Sequence, residues 1–330
     1  MYNAYISGIG HHLPDKIVTN DDLSKIMNTS NEWILERTGI KKRHYVSNKQ
    51  GPSDLAIPAT ENALEMAGLS VNDIDLIIFA TSTPDYYAPG SGCLLQDKMG
   101  FKTVGALDIR VQCSGFIYGL SIANQYIKTG EAKNVLVVGS EVQSTTLDFS
   151  TRGRDTAVIF ADGAGAAIIS ATKENKGILS THLFSEGKYA KELWIESPST
   201  IDSPRLSSEI LDEGKHFLYM NGREVFRNAV TRFPEVIKEA MQAHNMNSED
   251  IDVLVPHQAN IRIMEFVAKK MNIPMGKIIS NIHRVGNTTA ASIPIALSEG
   301  FLEGKIKKGQ NIILAAFGSG FTWASAAIRW

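Results

Sequence analysis

Two stretches far apart in the chain repeat one another, and this repeat constrains the fold more than any other feature. Asn72-Asp-Ile-Asp-Leu-Ile-Ile78 matches Glu249-Asp-Ile-Asp-Val-Leu-Val255 at an offset of 177 residues. Arg110-Val-Gln-Cys113 aligns with Arg284-Val-Gly-Asn287 at an offset of 174, which also lays Gly130 on Gly304. Asn134-Val-Leu-Val137 then meets Asn311-Ile-Ile-Leu314, again at 177. Matches that keep their order while the offset drifts by three residues describe two copies of one unit. In each copy, short apolar runs of the kind buried on both faces of a sheet alternate with amphipathic stretches of helical period. The prediction is an α/β chain in two pseudo-symmetric halves, residues 1–174 and 175–330, packed face to face around a buried layer.

Composition narrows the function classes. A chain of 330 residues that is 43% hydrophobic can fill two such halves with core. Its formal net charge of −2 gives no electrostatic footprint for nucleic acid. Two cysteines, Cys93 and Cys113, make no disulfide framework and fit a reducing compartment. The start of the chain reads as a strand over 4–9 rather than a targeting segment, and no apolar run reaches membrane-spanning length. A cytoplasmic protein with no membrane partner, no nucleic-acid partner and no metal is expected.

Within the halves, Thr19-Asn-Asp-Asp-Leu23 reads as a helix start capped by Asn or Asp. A helix over 31–40 places Trp33 and Arg37 one turn apart, as a cation–π or packing pair. Residues 53–67 read as a helix closed by Gly68, residues 74–81 as a buried strand, and residues 83–90 as turns leading into a helix to about Met99. Ala161-Asp-Gly-Ala-Gly165 reads as a tight connection between strands. It lacks the lysine and spacing of a phosphate loop. Residues 186–217 have little periodicity and read as an excursion or lid, and the regular pattern resumes at Val225.

Chemistry enters with Cys113. The strand over 104–111 runs directly into it, and the residues after it have the apolar density of a buried helix. A cysteine at a helix N-terminus meets unpaired N–H groups and the positive end of the helix dipole, which favour the nucleophilic thiolate. Taken alone, it would be a small buried hydrophobe. Its repeat partner is Asn287, placed by the offset just after a strand of its own half, and a strand starting near Ile251 ends at Pro256-His257-Gln258-Ala259-Asn260. Three reactive or polar groups therefore stand at strand ends that a two-fold related structure would bring together. A cysteine with a histidine supports covalent catalysis on a thioester or amide, and a papain-like protease uses the same residue types.

Order and context separate these readings. Cys113, His257 and Asn287, in this order, resemble the β-ketoacyl-acyl-carrier-protein synthase III family of the thiolase-like superfamily. The resemblance runs essentially end to end through Thr38-Gly-Ile40, Asp162-Gly-Ala-Gly165, Pro256-His-Gln-Ala-Asn260, Gly286-Asn-Thr-Thr-Ala-Ala-Ser292 and Phe317-Gly-Ser-Gly-Phe-Thr-Trp323. It implies a layered α-β-α-β-α sandwich of two thiolase-like halves, the first with the nucleophile and the second with His and Asn. It also implies decarboxylative Claisen condensation of an acyl-CoA primer with malonyl-acyl carrier protein. In that scheme Cys113 carries the acyl group, and His257 and Asn287 donate to the enolate oxygen. Backbone N–H groups of Cys113 and of Gly318, Ser319 or Gly320 receive the tetrahedral oxyanion. Phe317 walls the malonyl carboxylate.

The resemblance further places coenzyme A on Trp33, Arg37 and either Arg152 or Arg154. The acidic carrier falls on Arg262, Arg227, Lys269 and Lys270, with Gln258 and Asn260 nearby. No cofactor is bound permanently, acyl-CoA being substrate. A homodimer is implied, with the strand near Leu107 as the sheet-edge contact, and His283 is read as structural or as a support behind the site residues. Two residues depart from the family pattern. Gln112 stands where a small residue usually precedes the cysteine. Ala88 stands where many acetyl-specific members carry a bulky aromatic that reaches the partner's acyl pocket, which leaves room for a longer or branched primer. Other readings stay open: an acyltransferase of this fold acting on oxygen or nitrogen acceptors without decarboxylation, and a non-enzymatic acyl-binding scaffold.

Overall fold

The computed structural model describes residues 2–47 and 49–330. The first half builds a five-stranded sheet from β1 (Asn3–His12), β4 (Leu76–Ala80), β5 (Gly105–Ile109), β6 (Asn134–Val142) and β7 (Asp162–Thr172), in the order β1-β7-β6-β4-β5. The second half builds a sheet from β8 (Gly177–Ser185), β11 (Val253–Pro256), β12 (Asn311–Gly318) and β13 (Thr322–Arg329), in the order β8-β13-β12-β11. The two sheets also share their strand directions. β7 is antiparallel to β1 and β6, and β13 to β8 and β12, while β6 runs parallel to β4 and β12 to β11. The counterpart of β5 is reduced to one parallel bridge, Leu254 with Ile278. Two small pairs lie outside the sheets: β2 (Lys16–Thr19) with β3 (Lys42–Tyr45), and β9 (Leu193–Trp194) with β10 (Tyr219–Met220).

Helices fill three layers around these sheets. On one outer face are α3 (Pro52–Ala67), closed by Gly68 in the left-handed region, and α4 (Ser91–Lys98). Between the sheets lie α5 (Gly115–Thr129) and α11 (Ser292–Leu302). In α11 every residue from Ser292 to Gly300 is buried, as a helix enclosed on all sides must be. The other outer face carries α8 (Gly222–Gln242) and α9 (Ile261–Met271), both strongly one-sided. Short helices complete the chain: α1 (Asn20–Ser24), α2 (Asn31–Thr38), α6 (Arg154–Ala157), α7 (Ser208–Asp212) and α10 (Ile282–Val285). The result is the α-β-α-β-α sandwich of the thiolase-like fold. Its apolar residues form three main clusters, one at each outer interface and one between the sheets. Each large aliphatic side chain so enclosed contributes about 1.5–3 kcal/mol over leaving it in water.

Three local expectations are corrected. Helix α1 is capped by Thr19, whose hydroxyl accepts from the Asp22 N–H while Asp22 bonds back to the Thr19 N–H. A hydroxyl just before the helix can complete that reciprocal box, so neither Asn20 nor an Asp serves as cap. Ala161-Asp-Gly-Ala-Gly165 is not a connection, because Asp162 already opens β7 and pairs with Val142 of β6. Asn287 follows the short α10 rather than a strand. The lost strand is the one that shrank to the Ile278 bridge.

Candidate active site

Cys113 lies in a single 3-10 turn, Gln112–Ser114, that winds directly into α5. Asn287 holds the equivalent place ahead of α11. The residue before each has a positive φ: +42° for Gln112 and +75° for Gly286. This left-handed step turns the chain so that the next side chain points back toward the sheet-end cavity. Small residues let the two turns approach one another. A Cβ on Gly139 would stand 2.4 Å from the Ala290 carbonyl oxygen, so β6 takes the 289–291 turn only because that carbon is missing.

Cys113, His257, Asn287, Phe317 and Gly318 line the inner end of one cavity of about 650 Å³. His257 follows β11, and its backbone N–H donates to the Ala315 carbonyl (2.8 Å). The ring is 1% exposed, and both ring nitrogens are buried without a hydrogen-bond partner among the described residues. Burial pushes its pKa down to about 3, so the imidazole is neutral at physiological pH. Two unmet nitrogens in a buried ring cost free energy unless a ligand completes them. The Asn287 amide is oriented, since its Oδ1 accepts from the Thr289 N–H (2.9 Å). That leaves Nδ2 as the free donor toward the cavity. Backbone bonds from Asn287 N–H to the Ile159 carbonyl (3.0 Å) and from Ala161 N–H to the Asn287 carbonyl (2.9 Å) pin the residue.

The cysteine is 4% exposed, and its thiol is pushed up to about 12, first by burial and then by the nearby charge of Glu141. The backbone N–H groups of Ser319 and Cys113 act in the opposite direction, both directed at the sulfur. Burial thus opposes the thiolate that the helix terminus favours, a contribution that the local sequence does not display. Those same two N–H groups form a donor pair beside the nucleophile. Ser319 is held there by its hydroxyl, which donates to the Leu193 carbonyl of β9. Phe317 packs in an aromatic group with Phe233 and Phe321, with ring centroids 6.4 and 4.9 Å away, and Tyr189 stacks on Phe321.

At the outer end the cavity reaches Trp33, Arg37, Arg154, Arg223 and Arg262. The Arg37 and Arg154 guanidinium carbons lie 4.5 and 4.4 Å from the Trp33 ring centroid. A second cavity of about 230 Å³ shares Cys113, Phe160 and Leu193 with the first, so the sulfur sits where the two spaces meet.

Known proteins give this arrangement its place. Residues 107–187 match the family model described as 3-oxoacyl-[acyl-carrier-protein (ACP)] synthase III, and residues 241–330 match that of the same synthase's C-terminal part. The chain is 45% identical to a "Beta-ketoacyl-[acyl-carrier-protein] synthase III" of Xanthomonas axonopodis pv. citri over 328 residues, 98% of each chain. It is 45% identical to a protein of that name from Aliivibrio fischeri over 329 residues, covering 100% of both. The chain belongs to the β-ketoacyl-acyl-carrier-protein synthase III family. The crystal structure of the 3-oxoacyl-[acyl-carrier-protein] synthase III from Aquifex aeolicus superposes with a TM-score of 0.91 at 41% identity, covering 99% of this chain and 100% of that one.

Several site residues expected of a synthase III member lie elsewhere than the sequence suggested. Arg154 lines the cavity. Arg152 does not, because its guanidinium is drawn to Asp148 (2.6 Å) and to the Asp212 carbonyl. Gln258 is excluded from any carrier surface. It is 1% exposed, its Nε2 donates to the Pro256 and Ile279 carbonyls, and its Oε1 accepts from Asn281 N–H. Asn260 lines the mouth but is occupied in capping α9 and in donating to the Arg37 carbonyl. Ala88 is exposed on the β4–α4 loop, outside both cavities of its own chain. Gly320, with φ +132°, sits in the β12–β13 turn next to Ser319. His283 is exposed on α10, away from the cavity. Arg227 pairs with Glu224, and Lys269 and Lys270 sit at the last turn of α9, outside the cavity lining.

Two groups escaped the sequence reading. Arg223 belongs to the α8 face shared with Phe226, Ala229 and Phe233, and helical spacing from those apolar residues selects it over Arg227. Glu141 is wholly buried, accepting from Ser82 N–H and from the Ser82 and Thr83 hydroxyls. It follows Ser140 at the end of β6 and precedes Gln143-Ser144-Thr145-Thr146, so the sequence reads it as part of a polar strand end rather than as a buried charge.

Proposed function

We propose that this chain condenses an acyl-CoA primer with malonyl-acyl carrier protein, releasing carbon dioxide and giving a 3-oxoacyl-acyl carrier protein that starts fatty-acid or related acyl-chain synthesis. The observation that supports it most directly is the meeting, in one cavity, of a buried cysteine, an unpartnered neutral imidazole and an amide whose NH₂ is left free.

Chemistry follows from these groups. The Cys113 sulfur bonds to the primer's carbonyl carbon, the bond to coenzyme A breaks, and the thiol proton leaves with the coenzyme A thiol. The Cys113 and Ser319 N–H groups, already directed at the sulfur, hold the tetrahedral oxyanion. In the second half-reaction the bond from the malonyl methylene carbon to its carboxylate breaks, and the electron pair becomes an enolate. His257, with its proton on Nε2, and Asn287 Nδ2 donate to the enolate oxygen. A neutral imidazole suits this role because it keeps an N–H without bringing a buried charge. Phe317 and its aromatic neighbours favour leaving as carbon dioxide over staying as carboxylate. The enolate carbon then attacks the acyl carbonyl and expels the cysteine sulfur as thiolate, which takes up a proton from solvent.

Coenzyme A is taken to lie along Trp33, Arg37 and Arg154, where flat indole and guanidinium groups suit adenine and phosphate. The acidic carrier meets Arg262 and Arg223, with Arg227, Lys269 and Lys270 beside them on α8 and α9. The reading needs no permanently bound cofactor and divides the chain into working halves at 1–174 and 175–330. It also places the protein in the cytoplasm; among the described residues no helix is long and apolar enough to cross a membrane. A homodimer would pair through β5, an unpaired sheet edge whose Leu107 is 38% exposed.

Intact-mass spectrometry after mixing with acyl-CoA thioesters tests the reaction. The expected result is an adduct on Cys113 that only malonyl-carrier discharges, with carbon dioxide released. An adduct that resists malonyl-carrier and clears with an alcohol or amine overturns the condensing reading in favour of simple acyl transfer. A folded protein that forms no adduct overturns both and leaves a scaffold.

A further inference from the structure

The 230 Å³ cavity behind Cys113 is where a primer's acyl chain would lie, and its lining is mixed. Phe160, Leu193, Ile195 and Leu218 give it an apolar wall, while Arg110, Gln112, Gln143 and Thr289 bring polar groups to the same space. A water's share of liquid is about 30 Å³, so the cavity holds on the order of seven or eight non-hydrogen atoms. We infer that this chain selects a short acyl primer whose far end carries a hydrogen-bond-accepting oxygen, either a carboxylate or a hydroxyl. The inference rests on the condensing function proposed above and adds its substrate class.

An inventory of donors and acceptors supports it. The Gln143 amide is spoken for: its Nε2 donates to the Ser82 and Thr289 hydroxyl oxygens (2.9 and 3.0 Å), and its Oε1 accepts from Thr146. The Ser82 hydroxyl is spent on Glu141 (2.9 Å). The Thr289 oxygen accepts from Gln143, which leaves its hydrogen to give. Arg110, exposed at the rim, joins no ion pair among the described residues, and the Gln112 side chain has no partner there either. The unspent groups are thus the Arg110 guanidinium, the Gln112 amide and the Thr289 hydroxyl, a set rich in donors. Glu141, the carboxylate behind Ser82 and Gln143, is turned to its own donors and does not line the cavity.

Backbone geometry adds a second argument. Gln112 holds a φ of +42° where its repeat partner is Gly286, a residue free of the steric cost of that region. Keeping a long amide side chain in a glycine conformation makes sense where the amide is used. A purely aliphatic primer would cover these donors without satisfying them. Sites built to bond a substrate oxygen reject analogues that lack it far more strongly than they reject a missing methylene.

The test loads purified full-length protein with butyryl-, 4-hydroxybutyryl- or succinyl-CoA, compounds of similar length that differ at the far end. The initial rate of the Cys113 adduct is followed by intact mass, with malonyl-carrier added afterwards. At least one oxygen-ended primer is expected to load about tenfold or more faster than butyryl. Succinyl in the lead supports the inference with a carboxylate terminus facing Arg110, and 4-hydroxybutyryl in the lead supports it with a hydroxyl. Arg110→Leu and Gln112→Ala are expected to shrink the oxygen-ended to butyryl ratio severalfold, a ratio that general loss of activity or folding does not move. Butyryl loading as fast as both others, or ratios unchanged in both variants, overturns the inference while the condensing function stands. Absence of any adduct, or an adduct that malonyl-carrier cannot discharge, overturns the condensing function itself.

Discussion

Gly318 lies so close to Cys113 that a Cβ added to it would stand 2.5 Å from the cysteine Cβ and 2.7 Å from its sulfur. The end of β12 is thus packed directly against the cysteine side chain, and this contact sets the Ser319 N–H beside the sulfur. Gly318→Ala must push the two apart by several tenths of an ångström. The expected outcome is a loss of about 10²-fold or more in the acylation rate, of the size seen when one oxyanion donor is misplaced. Burst-phase thioester kinetics measure it, and a rate within threefold of wild type would dismiss the contact as catalytically neutral.

The two halves of the reaction should separate by mutation. Asn287→Ala and His257→Ala remove donors to the enolate and leave the Cys113 and Ser319 N–H pair in place. Acyl adducts should still form, while their discharge by malonyl-carrier falls by about 10²–10³-fold. Mass spectrometry of the adduct with time, together with released carbon dioxide, follows both steps. Equal loss of loading and discharge would contradict these assignments.

The arginines at 152 and 154 should behave differently. Arg154→Ala removes a guanidinium from the Trp33 face and the cavity wall, and is expected to raise the KM for acyl-CoA about five- to tenfold. Arg152→Ala breaks the contact with Asp148 and should leave that KM within twofold. Steady-state kinetics on the two variants side by side decide between them.

Gln258 offers a stability test. Its three buried bonds tie the segment after β11 to the chain around Ile279 and Asn281. Gln258→Ala strands two carbonyls and an N–H, at a cost of about 3 kcal/mol. Urea unfolding should show that loss, while the KM for malonyl-carrier is expected to hold within twofold, as suits a residue that no carrier can touch.

Two buried groups give stability opposite dependences on pH. Burial holds the folded His257 pKa at about 3 against 6.5 for a free imidazole, so the unfolded chain binds more protons between those values. Its effect is a stability that declines as pH falls through that window. Glu141 is pushed up to about 7 by burial, so the folded chain keeps a proton between 4.5 and 7 that the unfolded chain has lost. Its contribution therefore declines as pH rises across 4.5–7. Glu141→Gln should remove that second slope. Without the neighbouring charge, Cys113 should also react severalfold faster with iodoacetamide at pH 8. Urea midpoints from pH 4.5 to 7 and alkylation followed by mass check the pair; unchanged slopes and rates would count against it.

Much of this site was legible in the residues because duplication wrote it twice. The repeat that lays β4 on β11 and β6 on β12 at an offset of 177 also lays Cys113 on Asn287 at an offset of 174, and strand-end logic added His257. What escaped depends on contacts between segments remote in sequence. Whether Arg152 or Arg154 faces the cavity is settled by Asp148 and the segment near Asp212. Gln258 looked like a surface amide beside a reactive histidine until the 279–281 segment closed over it. The raised thiol of Cys113 reflects burial, which the helix-terminus argument from local sequence does not weigh. The left-handed turn at Gln112 was hidden because only its partner, Gly286, wears the residue that such a turn prefers.

That paired turn has a wider consequence. A single loop design, a left-handed step followed by a side chain at the head of a central helix, occurs once in each half. One copy presents a sulfur and the other an amide. Gene doubling thus supplied two equivalent sockets facing a common space, and division of labour between them lets acyl loading and carbanion handling be retuned separately. Gln112, at the first socket, lines the smaller cavity and not the larger one that holds His257 and Asn287, so a change there is expected to act on the acyl side alone.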